Sequence, residues 1–73
     1  MITFKRNKSN RDYQEFIYKN DKLIGDIYEN LASAKFGKYF LSEVKPDGIG
    51  YTQPIKYFNT IEEAREFSTL YFQ

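Results

Sequence analysis

The chain reads as a small α+β domain, an antiparallel sheet of four to five strands with one C-terminal helix packed on it. Three observations predict this. Short runs rich in Tyr, Phe and Ile recur along the first part of the chain, separated by turn signals built on Asn, Asp, Gly and Pro. A capping sequence, Thr60-Ile61-Glu62-Glu63, opens a stretch in which apolar residues return at helical spacing. The 73 residues contain no linker, repeat or low-complexity stretch, so residues 1–73 form one domain.

The elements follow in order. Ile2-Thr3-Phe4-Lys5-Arg6 alternates apolar and polar and reads as a strand. Asn7 to Arg11 is polar and turn-forming. Tyr13 to Lys19 and Leu23 to Glu29 flank Asn20-Asp21, which predicts a hairpin. Gly25, inside the second run, predicts a bulge or a close backbone approach. Asn30 to Gly37 is an irregular connection with room for one helical turn at Leu31-Ala32-Ser33-Ala34. Lys38 to Val44 is the next strand. In Lys45-Pro46-Asp47-Gly48, Pro presets φ and Gly accepts a positive one, so a turn is expected there. Ile49 to Tyr57 follows as an edge strand, because Pro54 cannot donate to a ladder.

In the helix, Thr60 is expected to accept from the Glu63 N–H while Glu63 reaches back, and Glu62 and Glu63 suit the positive end of the helix dipole. Ile61, Ala64, Phe67, Ser68 and Tyr71 make its apolar face. Leu70-Tyr71-Phe72-Gln73 matches the residues left by a common tag-removing protease. Ser68-Thr69 stand where Glu-Asn would precede them, and Tyr71 continues the apolar face, so the segment reads as native.

Composition bounds the function. Seven Tyr and seven Phe stand beside no His, Cys or Trp. The commonest general base and metal ligand is missing, and so are the thiolate nucleophile and any disulfide. The acidic pairs Asp26 with Glu29, and Glu43 with Asp47, are spaced as solvated strand and turn residues. A non-catalytic protein with no metal and no cofactor is expected. A chain this short needs a dense aromatic core, which the Phe supply, whereas Tyr hydroxyls favour the core edge or a contact surface. With 11 Lys and Arg against 10 Asp and Glu, the net charge of +1 belongs neither to a polyanion mimic nor to a strongly basic protein. No apolar run spans a membrane and no signal-peptide pattern opens the chain, so a cytoplasmic location is expected, in a bacterial host if the chain is phage-encoded.

Protein binding is the function this composition favours, since Tyr and Phe give large rigid contact area at low entropic cost. The expected contact residues are the basic Lys5, Arg6, Lys8 and Arg11, which carry a local +4 with no acid, and the sheet tyrosines Tyr13, Tyr18, Tyr28 and Tyr39. In build, a Cys-free single domain rich in Lys, Asn, Ile, Tyr and Phe resembles accessory proteins of phages, prophages and plasmids. Inhibitors of bacterial defence systems, anti-CRISPR proteins among them, are of this kind. The resemblance implies tight occupation of a host protein or protein–nucleic acid complex and carries no motif, so it transfers no residue.

A second reading is duplex DNA binding. The segment from Phe4 to Arg11 is basic with polar side chains suited to phosphate, and tyrosines on a sheet can stack on bases. A sheet followed by Tyr57-Phe58-Asn59-Thr60-Ile61-Glu62-Glu63-Ala64-Arg65 is similar to the DNA-binding domain of plant ethylene-response factors and to the arm-binding domain of some phage and transposon integrases. Both resemblances imply that the sheet reads the major groove. A homo-oligomer is the third possibility.

Overall fold

Asn20 and Asp21 both take positive φ, 51° and 69°, the conformation a two-residue turn needs to match the twist of the strands it joins. They close the hairpin of β2 (Gln14–Lys19) and β3 (Lys22–Glu29). The structure, a computed structural model, describes residues 1–32 and 34–73. Among these, β1 (Ile2–Arg6), β4 (Tyr39–Glu43) and β5 (Lys56–Phe58) complete a five-stranded sheet, and the chain ends in α1 (Ile61–Tyr71). The strands lie side by side in chain order and every neighbouring pair is antiparallel.

Gly25 marks both features expected of it. Ile17 pairs with Gly25 and Tyr18 with Leu23, so Ile24 is the extra residue of a bulge. A Cβ at Gly25 would also lie 2.6 Å from the Ser42 carbonyl oxygen and 3.0 Å from the Phe72 ring. Gly48 has φ 79° and donates its N–H to the Lys45 carbonyl at 2.8 Å, closing the predicted turn.

Two boundaries differ from expectation. The edge strand does not run from Ile49 to Tyr57: only Lys56–Phe58 pairs with β4, and Pro54 lies before it. Residues 45–55 instead leave the end of β4 as a loop that returns along it. It is tied by the Val44–Tyr51 bridge, by Thr52 N–H to the Glu43 carbonyl and by Ile55 N–H to the Leu41 carbonyl, both 2.8 Å. The helical turn expected at Leu31-Ala32-Ser33-Ala34 falls partly on Ser33, outside the described residues; a single 3-10 turn occupies Ala34–Phe36.

The helix lies on one face of the sheet. Thr60 Oγ1 accepts from the Glu63 N–H at 3.2 Å as expected. The Glu63 carboxylate, however, takes the Thr60 hydroxyl at 3.0 Å, not its backbone N–H. Ala64 and Ser68, one turn apart, are fully buried, and their small side chains bring the helix close to the strands. Among the described residues the buried apolar side chains are Ile17, Ile27, Leu41, Phe58 and Ala64. Phe4, Phe67 and Phe72 pack against them, whereas Phe16, Phe36 and Phe40 stand outside this cluster.

One charged pair crosses the interface. Glu15 is only 1 % exposed, and its carboxylate accepts Nε of Arg65 at 2.9 Å, a second guanidinium N–H of the same residue, and the Tyr13 hydroxyl. Burial alone would push the Glu15 pKa up; Arg65 and Tyr13 outweigh it and hold the carboxyl below its usual range. The same hydrogen bond to Glu15 pushes the Arg65 pKa up.

Candidate functional site

Because the side chains of a strand alternate between faces, the strands that bury Ile17, Ile27 and Leu41 under the helix must send their neighbours to the other side. Those neighbours are Gln14, Phe16 and Tyr18 on β2, Asp26 and Tyr28 on β3, and Phe40 and Ser42 on β4. No helix covers this second face among the described residues. Its rings contact one another across the strands: Tyr28 stacks on Phe40 with centroids 6.0 Å apart, Phe40 meets Tyr57 at 6.1 Å, and Tyr57 meets Phe36 at 5.5 Å. Phe36 is 62 % exposed. An aromatic row thus runs over the outer half of the sheet and ends in water.

At the middle of this face is a cavity of about 420 Å³ lined by Gln14, Asp26, Tyr28, Phe40, Ser42, Tyr51, Thr52 and Pro54. The last three come from the loop at residues 45–55, which folds over the sheet as a wall. Thr52 fixes that wall by accepting the Glu43 N–H on its hydroxyl at 3.1 Å. The polar floor is unusual for such a site. Asp26 is 3 % exposed and accepts one side-chain hydrogen bond, from Gln14 Nε2 to Oδ2 at 2.8 Å. Burial pushes the Asp26 carboxyl above the ordinary aspartate range, and the Gln14 bond opposes only part of that rise. Tyr51 is raised too, by burial first and then by the charge of Asp26.

Gln14 is held in the orientation that serves Asp26. Its Oε1 accepts Nδ2 of Asn7 at 2.9 Å and Nδ2 of Asn10 at 3.1 Å, which leaves the amide nitrogen to face the carboxylate. Asn10 also donates to the Tyr28 hydroxyl at 3.2 Å, and that hydroxyl donates to Asp12 at 3.3 Å. The polar segment between β1 and β2 is therefore a bracket that fixes one side of the cavity.

The residues expected to make contacts separate into two groups. Lys5, Arg6 and Lys8 border a hollow that also has Phe16 and Tyr18 on its walls, and Tyr28 lines the central cavity. Tyr13 and Tyr39 do not join them. Tyr39 packs against the core on the helix side, and Tyr13 meets it edge-on at 5.6 Å. Arg6, which also borders that hollow, sends its guanidinium over the Tyr13 ring at 4.0 Å, toward the helix side. Arg11 is exposed in the connection before β2.

Asp26, Gln14, Ser42, Phe40 and Tyr51 were not expected as site residues. One signal for them was present: β2 and β4 carry apolar residues in both phases of the alternation, as in Phe16 beside Ile17 and Phe40 beside Leu41. A strand apolar on both faces is either buried on both or has one face made for contact. Asp26 and Glu29, weighed as an acidic pair, fall on opposite faces, and Glu29 accepts the Tyr13 N–H at 3.0 Å. Asp47 accepts the Ile49 N–H at 2.9 Å within its turn. Among the described residues no three acidic side chains gather where they would hold a metal ion, and no helix is long and apolar enough to cross a membrane.

Comparison of the chain with protein-family models, with curated proteins and with solved structures finds no match in any of the three.

Proposed function

We propose that this chain is a non-catalytic binding protein that blocks or modulates a larger macromolecular complex by docking its open sheet face on a protein component. The carrying observation is the aromatic row from Tyr28 through Phe40 and Tyr57 to Phe36, laid over a sheet whose other face alone is covered by the helix. Rings held by their neighbours lose little freedom on binding and bury large area, which is the composition of interface centres. Host complexes attacked by phage-encoded inhibitors are the class of partner this reading favours.

Affinity capture from a bacterial lysate tests it, using the parent, the open-face variants Phe16→Ser and Tyr57→Ser, and the helix-side control Leu70→Ser. A protein should be retained by the parent and the control and lost with the open-face variants. Retention by all four, or capture of nothing, overturns the reading.

Nucleic-acid binding has one observation in its favour, the hollow where Lys5, Arg6 and Lys8 flank Phe16 and Tyr18, a basic edge beside rings on which bases can stack. Against major-groove readout, the open-face positions of the strands carry Lys5 and no Arg among the described residues. Mobility shift with duplex DNA separates the readings. A shift that weakens with log salt by about −0.9 per phosphate, and that disappears in Lys5→Ala/Lys8→Ala, would favour nucleic acid.

A further inference from the structure

The central cavity holds a buried carboxyl, Asp26, that no cationic side chain of the fold answers. No Lys or Arg lines it among the described residues, and Gln14 supplies a single neutral hydrogen bond. A carboxylate taken out of water is costly unless it is paired. Asp26 therefore stands ready for a group that brings both positive charge and N–H donors. Its surroundings select the kind of group. Tyr28, Phe40 and Tyr51 offer aromatic rings, whose faces attract cations. Ser42 and Tyr51 add hydroxyl oxygens that can accept. A planar cation with donors around its edge and bare faces matches walls of rings above a floor of acceptors. Guanidinium has that form and sheds its water readily, whereas an ammonium is compact and strongly hydrated. A volume of about 420 Å³ is toward the small end of ligand sites and admits an arginine side chain with room to spare.

We propose that the open-face cavity is a receptor for a guanidinium group, the arginine side chain of the docking protein, with Asp26 as its counter-charge and the rings of Tyr28, Phe40 and Tyr51 around its plane. This rests on the protein-docking reading and gives it a specific anchor: an arginine inserted at the centre of the aromatic face, where interface energy concentrates. Gln14, oriented by Asn7 and Asn10, is a positioning residue that holds Oδ2 of Asp26 and leaves Oδ1 to the guest.

The test is a titration of the ¹⁵N-labelled full chain with N-acetyl-L-arginine amide, followed by NMR. N-acetyl-L-citrulline amide, of the same shape without the charge, and N-acetyl-L-lysine amide run in parallel. Saturable shifts are expected at the amides of Asp26, Tyr28, Ser42 and Tyr51, with a Kd in the millimolar range, about 1–30 mM, as suits one side chain detached from its protein. Citrulline amide should bind about tenfold or more weaker, since a hydrogen bond to a charged group is worth at least that factor. Asp26→Asn should lose the same factor, and so should Tyr51→Leu, which alters only the loop wall. The absence of saturable shifts at those amides overturns the inference. So does citrulline or lysine amide binding as tightly as arginine amide, or undiminished binding by both variants.

Phe16 and Tyr57 lie outside the cavity lining, so Phe16→Ser and Tyr57→Ser should keep arginine-amide binding while losing the captured partner. Capture without arginine uptake defeats only the guanidinium assignment. Arginine uptake with capture indifferent to the open-face variants defeats the docking reading.

Discussion

Asp26 and Glu15 are both buried carboxyls, on opposite faces of adjacent strands, and their pKa values move in opposite directions. Glu15 has an arginine and a phenol to answer its charge; Asp26 has one amide. The consequences for stability have opposite sign. Asp26 binds its proton more tightly folded than unfolded, so its contribution is full in acid and is lost as pH rises through its raised folded value. Asp26→Asn lacks that loss. Chemical denaturation should show its stability, relative to the parent, shifting in the variant's favour as pH rises through and above the ordinary aspartate range. A gap between the two proteins that does not change with pH would contradict the burial assigned to Asp26. Glu15 behaves oppositely: its depressed value contributes stability above the ordinary glutamate range, which is lost as pH falls through the folded value. The pair is also asymmetric, because the Arg65 side chain is 46 % exposed while Glu15 is 1 % exposed. Arg65→Ala leaves the Glu15 carboxylate with only the Tyr13 hydroxyl and the water that the lost side chain admits, and should cost about 1–3 kcal/mol at neutral pH, whereas Glu15→Gln leaves Arg65 free to turn to water and should cost less. Equal losses in denaturant titration would remove the asymmetry.

Elements whose stop and start signals are local were legible. The Asn20-Asp21 turn, the Lys45-to-Gly48 turn and the Thr60 cap each depend on a few adjacent residues with fixed conformational preferences, and each is found where the spacing predicts. Thr60→Ala should cost about 1 kcal/mol by thermal unfolding, since it frees the Glu63 N–H and the carboxylate that now holds the hydroxyl. Gly25 was legible as a special position, although which strand or ring approached it was not. Gly25→Ala drives a methyl against the Ser42 carbonyl, which as backbone cannot turn aside, and should cost about 1–3 kcal/mol. Stability equal to the parent would mean that the β3–β4 approach relaxes freely. The strand expected from Ile49 to Tyr57 failed for a physical reason. Its alternation and length resemble a strand, but its hydrogen bonds go to single sites at Leu41 and Glu43, made by a loop that must also wall the open face.

At the scale of the whole molecule, one helix of eleven residues covers one face of a five-stranded sheet. The other face keeps its rings, and with net charge +1 little long-range repulsion opposes association. If a second copy were the resident of that face, light scattering would report a dimer that Tyr57→Ser dissolves. The docking reading expects a monomer of 8.7 kDa at micromolar concentration, about 1–10 µM, and the same mass for the variant.

The sequence by itself determined the fold class, the hairpin, the capped helix and the aromatic investment, because turn chemistry, capping and period are written within a few residues of one another. It also placed tyrosines on the strands without telling their faces apart. Only the tertiary structure decided that Tyr18 and Tyr28 look outward while Tyr13 and Tyr39 turn to the helix, since that depends on which phase of the alternation the helix covers. It alone put Asp26 beneath the loop of residues 45–55, joining a carboxylate and its wall from parts of the chain more than twenty residues apart. A helix has one apolar stripe and can cover one side of a sheet; the side it leaves is where this protein keeps a buried carboxyl with no cationic partner among the described residues.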